Sequence, residues 1–229
     1  MVTILALWVA LGWGLVLSAS ATPILDFGIL LNQPASSTIS YVGGAAPLVG
    51  TDIVVTNVVG IDTPLNNGAI LTITGGLLNF TTGNYNSGLS SPSTWYFDGG
   101  PLTTIKITGG ISTPSIPAGS TLLTGQFDDA VVLHIGGPNN NNIVGADFSD
   151  AVYSSLLSYF GLTGVLSAGG NLNIDFNTAT PITPPNLFTS SQILGGNVTN
   201  TYVPITASSL LLGSGLLGMA ALGFRRRKG

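Results

Sequence analysis

The chain contains no cysteine and no glutamate, one histidine, and five basic residues in 229. Each shortage removes something. Without cysteine there is neither a disulfide framework nor a thiol nucleophile. The nine acidic residues are all aspartate, which prefers turns and caps to helix interiors. With lysine also scarce, the middle of the chain has few good helix formers. Charged residues make up 6% of the sequence, against a usual share of about 25%. The charge is also segregated: all nine aspartates lie between Asp26 and Asp175, where Lys106 is the sole basic residue, so this stretch stands at 1 − 9 = −8. A body this acidic repels a phosphate backbone, which excludes nucleic acid as a partner.

What is abundant points to strands and turns. There are 32 glycines and 13 prolines, and Thr, Val, Ile, Tyr and Phe favour strands. Setting aside an apolar run at each end leaves residues 22–202, long enough for one domain with a sizeable core. Within it, short apolar stretches broken by Gly, Pro and Asn predict strands at 24–29, 38–42, 52–58, 70–74, 77–80, 94–97, 102–107, 121–127, 130–135, 172–176 and 198–202. Leu172, Ile174 and Phe176 alternate with Asn173 and Asp175, and Ile105 and Ile107 alternate with Thr104 and Lys106. Such a period of two buries one face and wets the other, as in an antiparallel sheet. The expected fold is therefore all-β: an antiparallel β-sandwich, jelly-roll-like, with a barrel as the alternative. Gly75-Gly76 has the form of a two-residue hairpin turn. Val152, Leu156, Tyr159 and Phe160 fall at helical spacing, predicting one short helix over 150–160, capped by Ser149 and ended by Gly161. Residues 178–196, rich in Thr, Pro, Ser and Asn, read as a loop and linker.

The two ends carry an address. Residues 4–17 form an apolar run followed by Ser18-Ala19-Ser20-Ala21. The run is shorter than the ~20 residues a membrane span needs, and Ala19 and Ala21 match the small-residue cleavage pattern of a signal peptide, cut after Ala21. At the other end, residues 205–224 contain no charge. As a helix they extend roughly 30 Å, the thickness of a hydrocarbon core. Arg225, Arg226, Arg227 and Lys228 follow at once. The positive-inside rule keeps them cytoplasmic and turns the body outward.

The tail is built from Val203-Pro204-Ile205-Thr206, then an uncharged Leu/Gly-rich run, then Arg225 to Lys228. In this order of parts it resembles the PEP-CTERM sorting signal of Gram-negative bacteria, over about residues 203–229. Ile205 fits the third place of the motif; Thr206 stands where family members carry proline. The resemblance implies an exosortase, a membrane cysteine protease-transpeptidase, as processing partner. It also implies anchoring in the inner membrane with the body in the periplasm, then release to the outer surface or the extracellular matrix, and an association with exopolysaccharide and biofilm.

Candidate chemistry in the body is sparse. His134 is the lone histidine, and no G-x-S-x-G elbow accompanies it. Asp128 and Asp129 are adjacent, and adjacent strand residues point to opposite faces, which suits a glycosidase pair poorly. Hard cations take carboxylate and carbonyl oxygens, so Asp98, Asp128, Asp129, Asp147 and the Asn139 to Asn142 run are candidate ligands for calcium, with Asp128 and Asp129 the first choice. No D-x-D-x-D-G loop is present, and turn-holding is the simpler use of these aspartates. Trp95 and Tyr96, beside Asp98, are the candidate sugar-binding residues, because aromatic faces stack on sugars. On a strand, Trp95 and Phe97 share one face and Tyr96 takes the other, and one of those faces is core. The expected function is a non-enzymatic, exported surface or matrix protein without a cofactor. The alternative is a carbohydrate-binding module for the producer's exopolysaccharide, and exposure of Trp95 or Tyr96 discriminates between them.

Overall fold

A computed structural model describes residues 21–203 apart from 138 and 165; at 146–150 and 166–168 it describes the backbone only. Residues 1–20 and 204–229 lie outside the described residues. With them lie the expected signal peptide, its Ala19, the apolar run 205–224, and the tail residues Pro204, Ile205, Thr206, Arg225, Arg226, Arg227 and Lys228. Ala21 and Val203 are described, and both are exposed.

Among the described residues there are twelve strands and one helix, and every strand pairing is antiparallel. The strands are β1 (Ile24–Ile29), β2 (Thr38–Tyr41), β3 (Pro47–Ile61), β4 (Ile70–Thr72), β5 (Thr74–Asn84) and β6 (Thr94–Asp98). They continue with β7 (Thr104–Ile111), β8 (Ile116–Gln126), β9 (Asp129–His134), β10 (Asn140–Val152), β11 (Leu166–Thr178) and β12 (Phe188–Val203). Helix α1 (Ser154–Phe160) lies between β10 and β11. The chain is all-β with one short helix, as its composition predicts.

The pairings run β1–β3–β5–β7–β8–β10–β11–β12 and back to β1, closing a ring. Long strands turn the corners. The first half of β3 pairs with β5 and its second half with β1. The first half of β10 pairs with β11 and its last residues with β8. Register shifts at Gly28/Ile29, Gly145/Phe148 and Asp175/Phe176 mark the bends, since a bulge increases local twist and lets a strand change direction. A closed ring leaves few unpaired edges for another chain to extend.

Inside the ring is one apolar core. Phe27, Phe80, Trp95, Phe97, Phe127 and Phe176 are buried in it. Edge-on ring pairs lock it, with centroids 5.4 Å apart for Tyr41–Phe97 and 5.6 Å for Trp95–Phe188. Along β11, Leu172, Ile174 and Phe176 point in while Asn173 and Asp175 point out. This pattern, apolar inside and polar outside, is the reverse of a membrane barrel.

Three local expectations are corrected. Gly75-Gly76 is not a hairpin turn. It is a bulge at the start of β5, where the β5–β7 register shifts between Thr74 and Leu77. Gly75 has φ +60°, and a Cβ on Gly76 would collide with the Val55 carbonyl, so glycine serves close backbone approach there. The helix starts at Ser154, because residues 149–152 pair with 123–126 of β8 and are held as strand. Ser149 is therefore no cap, whereas Gly161 does end the helix in the left-handed conformation, φ 73°. Of residues 178–196, expected as loop and linker, only 179–187 lie outside the strands: β12 begins at Phe188, whose ring stacks on Phe176 at 5.8 Å. Polar composition misled here because β12 wets every second residue.

Candidate functional site

Strands β6 and β9 are far apart in sequence but pair directly, with Tyr96 opposite Val131 and Asp98 opposite Asp129. This pairing gathers three of the singled-out residues into one corner of the outer surface. Tyr96 donates its hydroxyl to Asp129 Oδ2 at 2.7 Å. Asn86 donates from Nδ2 to Asp98 Oδ1 at 2.8 Å. The hydrogen bond to Asp129 pushes the Tyr96 phenol up to about 12, with partial burial and the Asp129 and Asp98 charges acting in the same direction. A phenol that donates to a carboxylate loses that bond on ionising, so its neutral form is held. Two aspartates opposite each other across a strand pair repel. The bonds from Tyr96 and Asn86 offset that repulsion.

Trp95 goes the other way. It is 0% exposed, packed against Phe188 among the core rings, and its Nε1 has no hydrogen-bond partner. A ring shut inside the core presents no face to a sugar, so the sugar-stacking role foreseen for Trp95 has no geometric basis. Tyr96 alone keeps part of its ring on the surface.

Asp128 sits exposed at the turn between β8 and β9, and Asp129 is committed to Tyr96. Among the described residues no three His, Cys, Asp or Glu side chains come together in a way that could hold a metal. His134 ends the inward row of β9 after Ala130 and Val132. Its Nδ1 lies 3.2 Å from Oδ1 of the buried Asn141, not beside an aspartate. An amide oxygen only accepts, so Nδ1 carries the proton there. This is a structural contact at the end of a strand.

The outer face of the sheet formed by β3, β1, β12, β11 and β10 carries a comb of amides and carboxylates that the sequence reading missed. Asn197 donates to Asp26 at 3.0 Å, and Asn142 donates to Asn173 at 2.7 Å and to Asp175 at 2.8 Å. These bonds cross strand boundaries, so they tie neighbouring strands together and consume the polar groups that a ligand would need. Alternation within each strand signalled the outward position of these residues; only strand order reveals that they line up. A groove of about 450 Å³ opens beside β5, β6 and β7, lined by Thr81, Gly83, Asn84, Asp98, Gly100 and Leu102. Asp98 is the one charged residue lining it. Comparison with family models, with curated proteins and with solved structures finds no match for this chain.

Proposed function

We propose that the protein is a non-enzymatic component of the cell surface or extracellular matrix. It is exported by its N-terminal signal, held in the inner membrane by its tail, and processed there by an exosortase-type enzyme. The observation that carries this reading is the position of the two ends. Ile24 of β1 pairs with both Thr201 of β12 and Ile61 of β3, so the segments before Thr22 and after Val203 leave the body side by side. This arrangement puts both apolar runs on one side of the body, which suits a domain that is exported from one membrane face and tethered there by its tail. The antiparallel strands wrapped in a ring about a single core are compatible with a flattened, jelly-roll-like β-sandwich as the fold of the body, with a barrel as the alternative. The test is fractionation of the native host. The protein is expected in the extracellular matrix fraction, moving to the inner-membrane fraction when the processing enzyme is deleted. Recovery from the cytosol in both strains sinks the proposal.

A second reading, a module that grips the producer's exopolysaccharide, is favoured by one observation: the partly exposed Tyr96 beside Asp98 and Asp129. An aromatic ring with flanking carboxylates suits a sugar, by stacking and by accepting its hydroxyl hydrogens. Retention of Tyr96→Ala on immobilised exopolysaccharide decides it. Retention equal to that of the unaltered protein removes this reading and leaves the first.

A further inference from the structure

The end of the body from which both termini leave also carries a group of exposed aliphatic residues. Ile61 at the end of β3 is 39% exposed, Leu65 in the following loop 55%, Ile70 at the start of β4 69%, and Val203 at the end of β12 51%. Strand register and backbone bonds place them together. Ile24 and Ile61 are opposite each other, as are Val59 and Ile70. Gly68 donates to the Gly60 carbonyl at 2.7 Å and Leu65 to the Phe160 carbonyl at 3.1 Å, folding the 62–69 loop back over this pole. Exposed aliphatic residues scattered singly need no explanation; several gathered at one end of the body call for one.

The covalent chain says what covers it. Only Pro204 separates Val203 from the apolar run 205–224. One residue spans at most about 3.6 Å, so a bilayer holding that run cannot lie far from this pole. The charged residue in the adjoining loop is Asp62, with no lysine or arginine between residues 58 and 72. Contact here is thus driven by apolar area rather than by attraction to anionic headgroups.

Resting on the membrane-anchored reading above, we infer that, until the tail is cut, the pole formed by Ile61, Leu65, Ile70 and Val203 packs against the surface of the bilayer that carries residues 205–224. The opposite pole faces away. Leu102 marks it, lining the same groove as Pro47, and Pro47 and Ile61 are the two ends of β3, up to about 46 Å apart at 3.3 Å per residue.

The absence of cysteine makes the test clean, since each introduced cysteine is the sole labelling site. Full-length chains carrying Leu65→Cys, Ile70→Cys or Leu102→Cys are labelled with an environment-sensitive fluorophore. They are then reconstituted into phosphatidylethanolamine–phosphatidylglycerol vesicles containing a headgroup-level quencher lipid. All three sites are on the surface, and a cooperative melt verifies each fold. The expected result is at least twofold greater quenching at positions 65 and 70 than at 102, undiminished by high salt. Equal quenching at all three sites in chains that float with the vesicles overturns the inference and leaves anchoring intact. Labels at 65 and 70 that are shielded from a water-soluble quencher yet untouched by the lipid quencher also overturn it, since a second copy of the chain would then be the occupant. Chains that do not float overturn both the anchoring and the inference.

Discussion

The backbone N–H of Tyr202 donates to the carbonyl of Pro23 at 2.9 Å, fastening the last strand of the body to its first. The Tyr202 side chain is buried in the core, so this clasp is anchored as well as hydrogen-bonded. Tyr202→Ala removes a large buried side chain and loosens the clasp, and is expected to destabilise the body by about 3 kcal/mol. Denaturant unfolding measures it. A change below about 0.5 kcal/mol, typical of an uninvolved surface position, contradicts a fastened end.

The Tyr96–Asp129 pair makes a prediction in alkali. The folded phenol ionises at about 12, whereas an unfolded one ionises near 10. The contribution of this pair is therefore fully present below about pH 10 and is lost as the pH rises from there toward 12, because the unfolded state sheds a proton that the folded state keeps. Asp129→Asn removes the main cause of the shift and brings Tyr96 back toward its ordinary value. A tyrosinate absorbance titration of both forms follows the effect; identical high-pH limbs contradict the bond.

Trp95 offers a readout of the core. Trp8 and Trp13 precede Ala21, so a chain beginning at Thr22 retains Trp95 as its single tryptophan. Full burial predicts blue-shifted emission that resists quenching by acrylamide and shifts red on unfolding. Trp95→Phe deletes an indole N–H that has no partner and keeps an aromatic ring, so it is expected to cost much less than Trp95→Ala, for which about 3–5 kcal/mol is typical. Comparable losses for the two substitutions contradict the packing.

Gly196 tests the bend of β12. Its φ is +149°, and a Cβ there would run into the Asn173 carbonyl on β11. Gly196→Ala is expected to destabilise by at least about 1 kcal/mol, since neither the backbone angle nor the space suits a side chain. An unchanged melting temperature contradicts the close approach of these two strands.

Much of the fold was legible because the polar and apolar residues alternate strictly. Strand β1 matches the expectation residue for residue, and the inward rows of β7 and β11 follow from their alternation. What sequence pattern misreads is whatever long-range pairing decides. The Val152–Phe160 spacing is helical, yet Ala151 and Val152 are held by β8. Gly75-Gly76 has turn chemistry, yet β3 and β7 pass on either side of the strand that contains it. The candidate site divides in the same way. Alternation separates Trp95 from Tyr96, but which ring is core depends on where β6 packs. The meeting of Tyr96 and Asp98 with Asp129 depends on a β6–β9 pairing to which no local signal points.

Under the proposed function the body is exported by an N-terminal signal and held by a C-terminal sorting tail. Intact-mass and terminal-peptide analysis of the protein from its native host, with and without the exosortase, tests it most directly. The expected mature chain begins at Thr22 and ends near Val203, with the tail retained only when the enzyme is absent. A chain that still carries Arg225 to Lys228 in the presence of the enzyme, or one that begins at Met1, contradicts it.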